Sequence, residues 1–404
     1  MPNPALGIYV SVPFCRSKCT YCNFASGVYP AGEHARYVDR VVEDLAGAGK
    51  WAAALGADVP RNVDTVYLGG GTPSLLEPEL IARLFAALRS EFEVDADAEI
   101  TVECAPGQLA QGTLEAMARA GVNRVSLGVQ SFIDKEAHES GRLHSRAVVM
   151  DDLLRLRAAG IANLNIDLIA GLAGQTFASW DESLDVLLET GLPHASVYML
   201  EVDEDSRLGR EMLAGGARYH AGLVPTDDAI AQMYETAVAK LQATGIAQYE
   251  ISNFALPGYE SRHNLRYWQR RPYLGVGLDA SSMLIAADHD REEKMVLRSK
   301  TTDDLRAYLA GGESPETAWL SPERQHEEAW FLGLRTNAGV SAAELEREFG
   351  RGTVAPARAI AQRLQADGLL ANENGRFTLT PRGRLISNVV FAEFLEADHA
   401  ASAR

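Results

Sequence analysis

The sequence predicts an α/β protein built around parallel strands, with a partial β/α barrel and an open doubly wound sheet as the two candidate architectures. Three observations support this. Short β-rich runs alternate with amphipathic helical stretches from Ile8 to about Val202. The runs are spaced as βα units require, since parallel strands need a crossover of a dozen or more residues. Chemistry-bearing residues also recur at the carboxyl ends of the runs, where parallel barrels place their sites.

Taken in order, the candidate strands are IYVSVP from Ile8, TVYLGG from Thr65, EITVEC from Glu99, RVSLGV from Arg124, NLNIDLI from Asn163 and HASVYML from His194. Helices such as HARYVDRVVEDL from His34 and LIARLFAALRSEF from Leu80 lie between them, with apolar residues at three- and four-residue spacing. Cysteines follow the first strand and Gly69-Gly70-Gly71-Thr72-Pro73 follows the second. Glu103 ends the third, Gln130 ends the fourth, and Asp167 lies in the fifth.

A second region, residues 240–314, contains QYEISNFALPGYESRHNLRYWQRRPYLGVGLDASSM and reads as a small α+β extension. Within it, the acidic stretch DHDREEK from Asp288 reads as a solvated loop. Residues 315–395 combine helices around EEAWFLGLR and APARAIAQRLQADGLL with a hairpin, NENGRFTLTPRGR, and a closing helix, ISNVVFAEFL. The Asn-Gly turn signal and this order suggest a winged-helix-like domain. Residues 396–404 read as a tail, and residues 1–239 as the main domain.

Composition narrows the function classes. The 404 residues are 47% hydrophobic and 23% charged, as in ordinary globular chains. No run approaches the length of a membrane span, and the N-terminus lacks the basic and apolar regions of a secretory signal. The expected location is the cytoplasm, with no membrane span. Net charge is −17. A nucleic-acid partner is therefore not expected, because phosphate contacts need a basic field; only Arg262, Arg266, Arg270 and Arg271 cluster locally.

Three of the four cysteines fall within eight residues, as Cys15-x3-Cys19-x2-Cys22. Three thiolates can hold three irons of a cubane and leave the fourth open for a ligand. A structural zinc site needs four ligands, and no nearby His or Cys supplies the fourth. Cys104 reads as a small buried strand residue. The glycine turn brings backbone close to a ligand and Thr72 adds a hydroxyl, but it is neither a dinucleotide fingerprint nor a Walker loop.

Together, C-x3-C-x2-C and this turn resemble the radical S-adenosylmethionine (SAM) superfamily. There the open iron chelates the methionine moiety of SAM, and one electron yields a 5′-deoxyadenosyl radical. The resemblance implies a radical SAM-type partial (β/α)6 barrel carrying a [4Fe-4S] cluster on Cys15, Cys19 and Cys22. The strings VECAPG, RVSLGVQSF, SGRLHS, NLNIDLIAGLAGQT and SVYMLEV resemble the coproporphyrinogen-oxidase-like branch. The match implies a SAM pocket formed by Tyr9, Tyr21, Gly70, Gly71, Thr72, Glu103, Gln130, Arg142 and Asp167.

Within that branch, the oxygen-independent coproporphyrinogen III dehydrogenases carry a fourth cysteine two residues after the third, where this chain has Phe24. Phe24 and the string His263-Asn264-Leu265-Arg266-Tyr267-Trp268 are similar to the heme-chaperone (HemW-type) branch. This implies heme as a third cofactor, with His263 in contact and Arg262, Arg266 or Arg270 pairing with propionates. It also implies a heme-accepting protein and an electron donor such as flavodoxin or ferredoxin as partners. The alternative is an oxygen-independent coproporphyrinogen III oxidase. SAM cleavage is compatible with the residue set, whereas porphyrinogen oxidation is disfavoured. One departure stands out: GVGLDASSM puts Ser281 where a family histidine is common.

Overall fold

The computed structural model describes residues 5–287, 295–311 and 314–395. The acidic stretch from Asp288 and the tail after residue 395 lie outside the described residues. Six parallel strands form the centre of a large sheet: β1 (Leu6–Val12), β2 (Asn62–Gly70), β3 (Glu93–Cys104), β4 (Arg124–Gln130), β5 (Asn163–Ala170) and β6 (His194–Met199). They neighbour one another in sequence order, 1-2-3-4-5-6, without a reversal. A doubly wound sheet would reverse its order partway. The partial barrel is therefore the architecture adopted.

Period-2 alternation explains the two faces. Ile8 and Val10 of β1, Val66 and Leu68 of β2, Val102 of β3, Val125 and Leu127 of β4, and Leu164, Ile166 and Leu168 of β5 are all buried in one main core. The helix Gly32–Ala54 joins that core through Tyr37, Val38, Val41, Leu45, Ala48 and Ala52, a stripe at helical spacing. The opposite face is polar: Tyr9, Tyr67, Thr101, Glu103, Ser126 and Asp167 occupy the intervening positions of the same strands. A polar concave face under an apolar convex one is what a ligand-holding barrel needs.

The sheet does not close on itself. At its β6 edge it continues into β7 (Asn253–Ala255), antiparallel. On the other side of β1 lies β8 (Tyr273–Val276), which is parallel to it, with Ile8 opposite Leu274 and Val10 opposite Val276. Antiparallel β9 (Ser281–Ala286), β10 (Val296–Lys300) and β11 (Glu316–Leu320) follow. The 240–314 region is thus woven into both ends of the barrel sheet. The Glu99 run is also longer than its apolar pattern indicates. It starts at Glu93, because Glu93 and Val94 pair with Asn62 and Val63 before an irregularity resets the register.

The C-terminal part has its own core around Trp330, Leu334, Val354, Leu364, Phe377 and Phe394. Helices Pro322–Arg335, Ala342–Phe349 and Arg351–Ala366 lead to a hairpin of Leu370–Glu373 with Arg376–Leu379. Asn374 and Gly375 turn it, both with positive φ (55° and 83°), as a two-residue hairpin loop of type I′ needs. This is the winged-helix-like arrangement. No described helix is long and apolar enough to cross a membrane.

Candidate functional site

A cavity of about 540 Å³ opens at the carboxyl ends of the strands. Cys15, Cys19 and Cys22 line it together with Tyr21, Gly70, Gly71, Thr72, Glu103, Gln130, Arg142 and Asp167. Of the residues expected at the SAM and cluster site, only Tyr9 is outside the lining. It sits one layer deeper, where a Cβ on Gly70 would stand 3.5 Å from its hydroxyl.

Backbone hydrogen bonds fix the cysteine loop at both ends. Cys15 N–H donates to Gly27 O (2.9 Å), Thr20 N–H to Ser140 O (3.0 Å) and Leu208 N–H to Thr20 O (2.8 Å). The glycine turn is tied to the same loop by Gly71 N–H to Val12 O and Thr72 N–H to Phe14 O, both 2.8 Å. A Cβ on Gly71 would lie 2.8 Å from two backbone oxygens of that loop, so only glycine lets the two segments meet. All four cysteines are free, and the three of the loop are partly exposed. As placed, no group of three or more His, Cys, Asp or Glu among the described residues is close enough to hold a metal. The thiols share a rim, with Thr72 Oγ1 3.9 Å from Cys15 Sγ and Ser26 Oγ 3.9 Å from Cys22 Sγ.

The polar wall is built strand by strand. Glu103 accepts from the Tyr67 hydroxyl (2.8 Å) and from Gly70 N–H (3.2 Å). Burial dominates these bonds and pushes its carboxyl up to about 7. Asp167 accepts from Ser126 Oγ (3.1 Å) and Asn165 Nδ2 (2.7 Å), and burial raises it as well. Arg142 donates to the Tyr21 hydroxyl (3.3 Å), while its Nε has no partner among the described residues. Gln130 is a non-glycine residue at φ 71°, and its buried Oε1 has no partner among the described residues. Backbone strain and unpaired polar atoms at one cavity mark a ligand-binding wall. These donors and acceptors, beside three free thiols and a glycine turn, fit a polar cofactor next to a thiolate-held cluster.

Cys104 is buried, and burial pushes its thiol up to about 12, as suits a packed strand residue. Both Cys104 and Phe24 line the cavity, but Phe24 is 61% exposed.

His263 lies elsewhere. The helix Arg262–Trp268, capped by Ser261, packs on Thr65 of β2 and Glu99 of β3. Its first backbone N–H groups, from Arg262 and His263, donate to Glu99 at 2.9 and 3.0 Å. The His263 ring is 1% exposed. Its Nδ1 is 2.9 Å from Thr65 Oγ1 and its Nε2 is 2.8 Å from the Tyr267 hydroxyl. Burial first, then Arg266 and Arg124, pushes its pKa down to about 3. The imidazole is neutral with both nitrogens engaged, and neither is free for iron.

The arginines expected at propionates are engaged as well. Arg266 is fully buried against Asp64, which also takes Arg271 at 2.7 Å. Arg270 pairs with Glu348 (2.8 Å), and Arg262 donates to Asp97 O (2.8 Å). Ser281 is exposed at the start of β9, outside the cavity lining. Sequence reasoning missed the far wall of the cavity, which comes from Tyr234, Ile251, Ser252, Arg335, Ser387 and Asn388.

Known proteins give this geometry a context. Residues 9–187 match the model of the radical SAM superfamily, and residues 320–386 match the HemN C-terminal domain. The Lactococcus lactis heme chaperone HemW is 32% identical over 98% of this chain and 98% of its own length. The Bacillus subtilis heme chaperone HemW is 32% identical over 96% and 98%. A solved structure, the radical SAM enzyme coproporphyrinogen III oxidase (HemN) of Escherichia coli, superimposes with a TM-score of 0.81. At 23% identity, covering 98% of this chain and 91% of that one, it is a likeness of fold.

Proposed function

Because the chain belongs to the HemW family of radical SAM proteins, we propose that it is a heme chaperone that takes up heme and passes it to an acceptor protein. The observation that carries this reading is the full-length relation to proteins named heme chaperone, running through both the barrel and the C-terminal domain. The exposed Phe24 at the cavity mouth supports it: an apolar face stands two residues after Cys22.

The radical SAM domain implies a [4Fe-4S] cluster and SAM. Cys15, Cys19 and Cys22 would hold the cluster. Gly70, Gly71, Thr72 and Glu103 would face the methionine end of SAM, and Gln130, Arg142 and Asp167 its remaining polar groups, with Tyr9 and Tyr21 as aromatic contacts. Bound there, the pair supplies one-electron reductive cleavage of a carbon–sulfur bond. The protein's own part is to position and shield. The Cys15–Gly27 and Thr72–Phe14 backbone bonds hold the loop and turn together, and Tyr67 orients the Glu103 carboxylate. Heme is assigned to the cavity mouth rather than to His263, whose nitrogens are engaged. A flavodoxin or ferredoxin is the fitting electron donor, and the cytoplasm the fitting location.

Anaerobic reconstitution followed by heme titration tests the reading. The expected result is a Soret band that is lost on addition of an apo-hemoprotein, with coproporphyrinogen unchanged under reductant and SAM. Loss of propionate carboxyls with turnover would instead support the oxidase alternative.

A further inference from the structure

The far wall of the cavity contains one charged group that the cofactor residues do not use. Arg335 ends the helix Pro322–Arg335 of the C-terminal domain and borders the cavity, with its side chain 26% exposed. Its Nε donates to Glu250 Oε2 at 2.8 Å, and its Nη2 lies 3.4 Å from Ser252 Oγ. The guanidinium carbon stands 4.3 Å from the centre of the Trp268 ring. Glu250 is fully buried, and its other oxygen already accepts from Ser252 N–H (3.0 Å) and Asn253 Nδ2.

This clamp does more than join two domains. A guanidinium offers five N–H donors in a fixed fork, and Nε and Nη2 use only part of it. No described residue accepts from Nη1. The indole packs on the guanidinium and the carboxylate holds one edge, so the remaining donors are held in place on a residue that lines the cavity. Such an edge suits a carboxylate, which accepts two parallel bonds from arginine. The same cavity carries apolar surface from Ile169, Val197, Leu200 and Ile251, beside the polar Ser252, Ser387 and Asn388. A flat apolar ligand with a carboxylate on its rim matches both features.

We propose that Arg335 binds a carboxylate of the ligand held in this cavity, and that this carboxylate is a heme propionate. The second half rests on the heme-chaperone reading. It makes the C-terminal domain part of the binding site and Arg335 a specificity-determining residue.

The test compares heme with its dimethyl ester, which lacks free carboxylates, by absorbance titration of the full-length chain. Wild type is expected to prefer heme by about tenfold or more. Arg335→Gln should erase that preference while keeping ester affinity within about twofold. Since Arg335→Gln strands the buried Glu250, the paired variant Glu250→Gln/Arg335→Gln is measured beside it, with the same loss expected. Equal uptake of heme and ester by wild type, or full preference retained in both variants, would overturn the proposal and leave Arg335 a domain tie. Uptake of neither ligand by wild type would remove the heme reading itself, and the propionate assignment with it.

Discussion

The Tyr67 hydroxyl donates to Glu103 at 2.8 Å, and on its other side the Tyr67 ring stacks on His263 with centroids 5.2 Å apart. One tyrosine therefore touches the cofactor wall above and the helix of the HNLRYW string below. The two groups it joins have opposite protonation behaviour.

Glu103 is raised to about 7 from an ordinary 4.5, mainly by burial. Between these values the folded chain holds a proton that the unfolded chain has released, so stability falls as pH rises from about 4.5 to 7. Glu103→Gln should remove that part of the slope. Thermal unfolding of the cofactor-free protein across this range checks it, and parallel curves for the two proteins would contradict it.

His263 should act as part of the floor of the barrel. His263→Ala removes the ring's bonds to Thr65, which keeps Arg266 Nε at 3.2 Å, and to the Tyr267 hydroxyl, and losing buried hydrogen bonds of this kind costs about 1–3 kcal/mol. The expected outcome is a lower urea midpoint with the Soret maximum of added heme in place. A shifted Soret band in an otherwise stable variant would assign His263 to heme after all.

Arg266 is the most exacting position in that floor. It is fully buried on Asp64 and also donates to Ala5 O and Pro272 O, each at 2.8 Å. Arg266→Ala would leave Asp64 paired with Arg271 alone and remove the buried bonds to Ala5 O and Pro272 O, a loss that costs about 1–3 kcal/mol. Equilibrium unfolding is the measurement. A loss under about 1 kcal/mol would mean that water reaches Asp64.

Cys15→Ala, Cys19→Ala and Cys22→Ala should each lose most of the iron bound after anaerobic reconstitution, since thiolates are the cluster's ligands. Cys104→Ala should keep it, because that thiol is a buried residue at the end of β3 and not part of the cysteine loop. Iron analysis with visible absorbance separates the four variants.

Much of this was legible along the chain. The six apolar runs mark the barrel because each alternates with a helix, and Glu103 and Gln130 at strand ends and Asp167 within a strand stand out because they break those runs. The seventh parallel strand was not legible. Tyr273–Val276 is four residues long and pairs with Gly7–Val10 more than 260 positions away, which no local pattern encodes. Arg335 was hidden for the same reason: its place in the cavity depends on the docking of a helix against Glu250 and Trp268. For His263 the sequence leaves two roles, because an imidazole among aromatic residues has the same composition whether it binds iron or closes a barrel. The hydrogen bonds to Thr65 and Tyr267 favour the second, and the heme titration of His263→Ala decides between them.

The place of β1 has a consequence for how the protein is made. It leaves the ribosome before the other strands of this sheet, yet in the finished sheet it is interior, with β2 on one side and β8 on the other. Until residue 276 has been synthesised, β1 keeps one unpaired backbone edge, and the cysteine loop at its end is anchored to a half-covered strand. Such an edge can template pairing with another chain. A nascent chain stalled before β8 is therefore expected to be sticky, and cluster insertion is best timed after the last parallel strand has docked.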